Sequence, residues 1–449
     1  MNPNMSHPQS SDAMRRQRSS SRLNPADVLV FLIPCLRVVQ VKLVGVLSGS
    51  DLLFLAVFIF LAIRGQIRIR SSVGKKCMFL CSLWLASQCI TDAVRHSAFA
   101  DYARGWSNIG LTLVNVAVMY TLLYDRPRRL VLYGWGLVVG SLLTLLFNPD
   151  LYMKEDPWKF GIAFPLSLAV MLLASRKEWL PRLSIVLTAS VGVINIVMGA
   201  RSMGGLCLGA ALYLLITRAM ARKGAGDSRA KARSVVTVAA LLVLGAAGIL
   251  WGYQYAATRG LLGEEARTKY EHQSSGQYGL LLGGRVEALS SLPAIYDSPI
   301  LGHGSWARDP SYLLAEREAL AVMGYIAPSS IINNEFEEGL IPSHSFLFGA
   351  WVNAGILGGV FWGWVWLLAL KTLTRVYPIK FVLLPVMSFA EFALLWDILF
   401  SPYGAEMRII SPYFIVMMMT CLSVASHHAL PAANRTVRKP IVVAPMVRS

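Results

Sequence analysis

Charge is scarce in this chain. Only 15% of its 449 residues are Asp, Glu, Lys or Arg, against about 25% in an ordinary soluble domain. That shortage, with 55% hydrophobic residues and a mean hydropathy of +0.53, excludes a soluble enzyme. Cysteine is missing from every long polar stretch. Cys35, Cys77, Cys81, Cys89, Cys207 and Cys421 all fall within apolar runs, so neither a disulfide framework nor a zinc ligand set is supported, and they read as small buried hydrophobes. P-loop, GxGxxG and HExxH patterns are absent, which speaks against a soluble sugar-nucleotide donor. The N-terminal stretch Met1–Asp27 lacks the apolar core and small-residue cleavage site of a secretory signal. It is polar, carries Arg15, Arg16, Arg18 and Arg22, and reads as a disordered cytoplasmic tail. No internal repeat is visible.

What is abundant is apolar sequence in blocks of membrane-crossing length. The formal charge of +17 resembles a nucleic-acid signal, but its placement excludes one. The basic residues are dispersed among short loops that alternate with the apolar blocks, which is the positive-inside pattern, whereas a nucleic-acid surface clusters on one folded domain. Twelve spans are expected, nine within residues 28–254 and three within 344–426: Val28–Leu47, Leu52–Ile63, Cys77–Val94, Trp106–Tyr124, Leu130–Phe147, Trp158–Ala174, Leu183–Gly199, Met203–Thr217, Val235–Tyr253, Phe346–Leu370, Phe381–Phe400 and Ile409–Ser426. The first is interrupted by Pro34, Arg37 and Lys42. With both termini inside, the tails and cytoplasmic loops hold 28 of the 42 Lys and Arg residues; residues 427–449 form a basic cytoplasmic tail.

One long hydrophilic stretch stands apart, a loop over residues 255–343. It holds 11 acids against 6 bases, which places it on the non-cytoplasmic face. Within it, Val286, Leu289, Leu292, Pro293 and Tyr296 form one face of a helix ended by Asp297-Ser298-Pro299. Tyr312–Met323 reads as a second short helix.

Three residues carry the chemistry best. His344 sits where the loop re-enters the membrane; a neutral imidazole there can take a proton from a hydroxyl, the alternative being an interfacial histidine that only snorkels. Ser343 is the expected cap of the next helix, which would set His344 in its first turn. Arg285, after Gly283-Gly284, can clamp a phosphate in bidentate fashion or pair with Glu287 or Glu264. Arg201, isolated on the outer face between two spans, needs a partner such as a phosphate or carboxylate. Gly302-His303-Gly304 reads as a turn rather than a phosphate cradle. Glu391, inside a span, has Arg37 or Arg408 as expected partners.

Several of these motifs occur in an order that resembles the bacterial O-antigen ligase and polymerase superfamily of membrane glycosyltransferases (Wzy-type). They are Arg201-Ser202, then Arg285, then Ser298-Pro299-Ile300-Leu301-Gly302-His303-Gly304. Next come Ser343-His344-Ser345-Phe346-Leu347 and Trp351-Val352-Asn353-Ala354-Gly355-Ile356-Leu357-Gly358. The resemblance is specific over Arg285–Gly359. It implies an all-α, GT-C-like integral membrane protein of the bacterial inner membrane. The implied reaction moves a glycan from undecaprenyl diphosphate, at the periplasmic face, to a lipid A–core sugar or to another lipid-linked repeat unit. Such members need no metal or nucleotide. The family's diphosphate-binding arginines map onto Arg201 and Arg285, and its loop histidine onto His344. Many relatives carry His-Asn where this chain has His344-Ser345; serine keeps both a donor and an acceptor. Trp306, Arg308, Tyr312 and Ser345 are the expected substrate contacts, although aromatics are also usual at membrane interfaces. The expected activity is polymerisation of surface or exopolysaccharide repeats, with ligation to lipid A–core as the alternative. A transporter or flippase is the alternative of another class; the absence of half-to-half symmetry argues against it.

Overall fold

The computed structural model describes residues 24–175, 181–222, 240, 244–245, 247–248, 250–275, 288–324, 339–341, 343–376 and 383–429. Arg285 and most of the ninth expected span lie outside the described residues. The described chain is mostly helical. Among the described residues, six helices are long and apolar enough to cross a membrane: Ser72–Arg95 (α3), Phe99–Leu123 (α4), Pro127–Phe147 (α5), Arg201–Arg222 (α9), Ile356–Val376 (α14) and Met407–Ala429 (α16). Shorter apolar helices accompany them, Gly49–Ile63 (α2), Ala163–Ala174 (α7) and Pro181–Val197 (α8), with the five-residue Leu151–Glu155 (α6) before α7.

The first expected span is not continuous. Asn24 caps a helix, Pro25–Cys35 (α1), with Pro25 at its start. The helix contains Pro34, gives way to a 3-10 turn at Leu36–Val38, and the chain then forms a hairpin, Gln40–Lys42 (β1) against Val46–Ser48 (β2). Proline disrupts the preceding helical turn. Among the described residues this hairpin is the one β-sheet, and the rest of the regular structure is helical apart from an isolated bridge. Arg37, which interrupts the apolar run, is buried against Ser141 (2.9 Å) and Glu406 (3.0 Å). Ser48 and Asp51 then start α2 with a reciprocal capping box.

The centre of the bundle is α16. Ile409–Cys421 is buried throughout, as expected of a helix that is apolar on every side. It packs against α4, α14 and Leu384–Phe400 (α15). Pro412 has no N–H to give to the Arg408 carbonyl four residues back. Asn115 of α4 supplies that bond at 2.9 Å, and Tyr133 of α5 bonds the next carbonyl, Ile409, at 3.0 Å. Polar side chains inside the bundle thus complete a backbone that lipid cannot solvate.

The two ends of the bundle differ. At one end α3 begins, α4 ends and α5 begins; Tyr120 accepts from Ser71 N–H (2.8 Å), and Arg129 binds Asp27 (2.8 Å). Arg64, Arg68, Arg70, Lys75 and Lys76 precede or open α3 there. At the other end α3 finishes and α4 starts, separated only by residues 96–98 rather than the longer loop expected. The described part of the large loop lies on this second face. It contains a further helix, Glu264–Ser274 (α10), besides Ala288–Asp297 (α11) and Pro310–Val322 (α12).

The sequence-based pairing of Glu391 does not hold. Arg408 is paired with Asp51 (2.8 Å) and Arg37 with Glu406, while neither carboxyl oxygen of fully buried Glu391 has a hydrogen-bond partner. Arg408 and Glu391 therefore respond in opposite directions to substitution. Arg408→Ala strands the buried Asp51 carboxylate and is expected to cost about 3–5 kcal/mol. Glu391→Met removes a buried polar group that makes no bond and is expected to raise stability by roughly 1–3 kcal/mol. Denaturant unfolding of the detergent-solubilised protein measures both; a destabilised Glu391→Met would contradict the assignment.

Candidate active site

The loop is fastened to the bundle where a helix breaks. The tenth expected span is two helices, Phe346–Ala354 (α13) and α14, turned at Gly355 (φ 68°). A helix end leaves its last carbonyls without partners. Loop residues supply them: His303 N–H bonds Val352 O at 2.7 Å and Gly304 N–H bonds Asn353 O at 3.1 Å. Ser87 of α3 bonds Ala354 O at 2.7 Å. In return Ile300 O accepts from Ile356 N–H, the first residue of α14, at 3.3 Å. The two backbones come so close that a Cβ on Gly302 would stand 2.5 Å from Gly355 N, and one on Gly355 would collide with Ile300 O. Gly302-His303-Gly304 is thus a turn, as its sequence suggests, and the amides of all three residues are engaged.

The end of α3 grips the same loop. Thr91 bonds Leu301 O (2.5 Å), and Arg95 bonds Gly302 O (3.0 Å) and Ser298 Oγ (2.8 Å). The buried carboxylate of Asp92 collects five donors. Oδ1 accepts from Ser305 N–H (2.6 Å) and Ser97 Oγ (2.7 Å); Oδ2 accepts from Ser305 Oγ (2.7 Å), Trp106 Nε1 (2.9 Å) and Gln88 Nε2 (3.2 Å). Such saturation lets a carboxylate lie buried without a cation in direct contact. Sequence reasoning passed over this group. Its signal was available: Gln88, Thr91, Asp92 and Arg95 share one helical face at the end of an apolar span.

Beside this hub lies a charged cluster. Arg308 binds Asp101 of α4 through both terminal nitrogens (2.6 and 3.4 Å), and Arg104 approaches the same carboxylate at 3.8 Å. Arg104 also bonds Val44 O in the hairpin and lies over the Trp306 ring at 6.0 Å. Trp306 and Arg308, two of the expected substrate contacts, are therefore together at the mouth of α3 and α4. Arg308 pairs with Leu340 in an antiparallel bridge, flanked by Ile341 N–H to Ala307 O (3.1 Å) and Asp309 N–H to Gly339 O (2.9 Å). That bridge brings the chain back toward His344.

His344 is exposed, immediately outside α13. The helix cap is Ser345, not Ser343: Ser345 Oγ accepts from Phe348 N–H (3.0 Å) and donates to Ile398 O at the end of α15 (2.8 Å). Hence His344 precedes the first turn instead of lying within it. The buried Ser345 hydroxyl is fully engaged in fixing this junction. Tyr312 is also buried, at 8% exposure. Its hydroxyl donates to Asp297 (2.8 Å) and its ring meets His303 edge-on at 5.6 Å. Burial and the Asp297 carboxylate push the Tyr312 phenol up to about 12, so it stays a neutral donor. Its ring face is not open to a sugar.

Arg201 belongs to a different group. It begins α9, and its guanidinium donates to Tyr253 Oη at 2.6 Å while lying 5.3 Å from that ring's centre; Tyr270 meets Tyr253 edge-on. Its partner at that contact is thus a phenol rather than the carboxylate or phosphate expected. Among the described residues no group of three His, Cys, Asp or Glu is placed to hold a metal ion.

No protein-family model matches the chain, and no curated protein matches it.

The hub makes a specific demand. Asp92→Asn turns one acceptor oxygen into a donor facing Ser305, Trp106 and Gln88. Charged hydrogen bonds are worth about 1.5–3 kcal/mol each, and stability should fall by roughly that much at least. Tryptophan-fluorescence unfolding in detergent provides the measurement, and wild-type stability would show that the donors are not held by the charge.

Proposed function

We propose that this chain is a multi-pass membrane glycosyltransferase of the O-antigen ligase and polymerase type, with twelve spans and both termini in the cytoplasm. The observation that carries the reading is the position of His344. It is an exposed imidazole at a fixed junction between loop and bundle, on the face opposite the basic loops around Arg64–Lys76 and Arg126–Arg129. By the positive-inside rule that face is the outer one. It is where a lipid-linked glycan would present its diphosphate, with the polyprenyl tail in the bilayer.

The chemistry suits the residue types. A hydroxyl of the acceptor attacks the anomeric carbon of the donor sugar. The bond from that carbon to the diphosphate oxygen breaks, and its electron pair leaves with undecaprenyl diphosphate. His344 takes the hydroxyl proton. A diphosphate is already a competent leaving group, so the remaining tasks are charge neutralisation and positioning. Arg285 and Arg201 neutralise the leaving group. Trp306 and Arg308, held by Arg104 and Asp101, form one wall of the mouth near the acceptor. Polymerisation of repeat units is the favoured outcome, with ligation to lipid A–core as the alternative.

One observation favours a reading of another class. Glu391 is a buried carboxyl without a hydrogen-bond partner inside α15, and intramembrane acids often mark transport pathways.

The assay uses purified protein and undecaprenyl diphosphate glycan, offered either lipid A–core or a second lipid-linked unit. Product with the second unit alone identifies a polymerase; product with lipid A–core alone identifies a ligase. Glycolipid translocation in vesicles without transfer would sink the enzyme reading. His344→Ala should lower turnover by about 10²–10⁴-fold, the range of a general base. Arg285→Ala should lower it by about 10²–10³-fold, by analogy with loss of one charge-stabilising donor. His344→Ala should leave membrane insertion and melting unchanged. Wild-type turnover in both variants would show that the site lies elsewhere.

A further inference from the structure

The helix α11 is amphipathic in the wrong sense for water. Its buried face is small and polar: Ser290, Ser291 and Ala294 are all inaccessible, and Ser298 follows on the same side. Its outward face is apolar. Leu292 and Tyr296, one turn apart, are 51% and 85% exposed, and Ile300, three residues past the end of the helix, is 76% exposed. Pro293 and Pro299 extend the same surface. The one acid within it, Asp297, has its carboxylate engaged by the Tyr312 hydroxyl. The sequence marks this face as apolar; the structure turns it outward rather than toward the protein.

The position of the stripe identifies what covers it. Ile300 O is bonded to Ile356 N–H, so the stripe ends at the first residue of the membrane-crossing helix α14. On α14, Ile356, Val360 and Leu367 are exposed at spacings of four and seven residues, which is one helical face. That face is lipid-facing in a helix of this composition. Trp351, a residue type favoured at the membrane boundary, donates its indole N–H to Pro299 O at 2.8 Å. Exposed apolar residues thus continue from α14 through Ile300 to Tyr296 and Leu292. A protein partner would meet this surface only beside lipid, and the one charge in the described part of the stripe, Asp297, is already engaged by the Tyr312 hydroxyl.

We propose that α11 is an interfacial membrane helix, seated in the outer boundary of the bilayer with Leu292, Tyr296 and Ile300 among the lipid chains and headgroups. It would fix the height of the Gly302–Trp306 segment over the bundle from the lipid side, as α3 fixes it from the protein side. The assignment concerns the bilayer alone and holds whatever reaction the chain carries out.

Spin labelling tests it on the full-length protein in phosphatidylcholine nanodiscs. Labels are placed at Leu292→Cys and Tyr296→Cys, both exposed and therefore tolerant positions, with Glu318→Cys on α12 as the aqueous reference. The unsubstituted protein, whose described cysteines are buried or half-buried, gives the background. Collision with oxygen is compared with collision with a water-soluble nickel chelate. The expected result is a several-fold higher oxygen-to-nickel ratio at residues 292 and 296 than at 318. Equal ratios would overturn the proposal by showing that water covers the stripe. Dipolar broadening between labels in discs holding two copies, absent in discs holding one, would overturn it in favour of self-association.

Discussion

Two glycines in contact set the geometry of the face that carries the large loop. The chain passes Gly302 across Gly355 with no room for a side chain on either, and the approach lets backbone meet backbone where α13 ends. Without it, the last carbonyls of α13 would lie inside a membrane bundle with no partner, at a cost of several kcal/mol each. The turn at Gly355 therefore exists because the loop is there, and the loop is ordered there because the turn needs its amides. Everything adjoining inherits that fixed point: Ser298 and Gly302 held by Arg95, Ser305 held by Asp92, and Trp306 and Arg308 delivered to Asp101 and Arg104.

Around that point the structure places charges at the loop-bearing end in compensated groups. Arg408 with Asp51, Arg37 with Glu406 and Arg308 with Asp101 each tie together segments distant in sequence. Arg408 and Asp51 are both buried, while Arg37 and Asp101 are buried members whose partners lie half exposed. Such pairs are weak sources of net stability but strong constraints on register, because a buried charge left without its partner is so costly. The first apolar block illustrates the effect. Arg37 cannot face lipid; its bonds to Ser141 and Glu406 hold the chain near the end of α5, and the block becomes a short helix, a 3-10 turn and a hairpin instead of one continuous helix.

The positions of the apolar helices were legible because hydropathy and length alone decide them. Most of the boundaries read from sequence fall within a few residues of α3, α4, α5, α9 and α16. Breaks were harder to see. Gly355 lies between two apolar runs that together have the length of one long span, and only the crossing of Gly302 reveals that the chain turns there. The cap assigned to Ser343 belongs to Ser345 for a similar reason: both are serines, and the choice is made by the Ile398 carbonyl, which comes from a helix more than fifty residues later. Individual ion pairs were illegible because pairing is a property of helix order. Glu391, Arg37 and Arg408 were the conspicuous charges in apolar sequence, and the two arginines found their acids at the loop-bearing end of the bundle instead.

The site itself was legible in part, and the division is physical. An exposed residue of the proposed site, such as His344, announces itself by standing at a junction. Residues that act by positioning, such as Asp92 and Gln88, look like ordinary polar interruptions of a span until their partners arrive from the loop. Tyr312 and Ser345 moved from the first kind to the second, since their hydroxyls are engaged within the protein. The helix α11 shows why the medium must be included in such readings. Its periodicity is that of any amphipathic helix, and in water the apolar stripe would turn inward. Here the inward positions hold Ser290, Ser291 and Ala294, whose small side chains let the helix lie close on the loop, and the larger apolar residues face away. The pattern is consistent only if the surroundings are apolar at that level. A loop that is polar on average can then still rest on lipid through one helix, which keeps the proposed reaction site at the height where a lipid-borne diphosphate meets water.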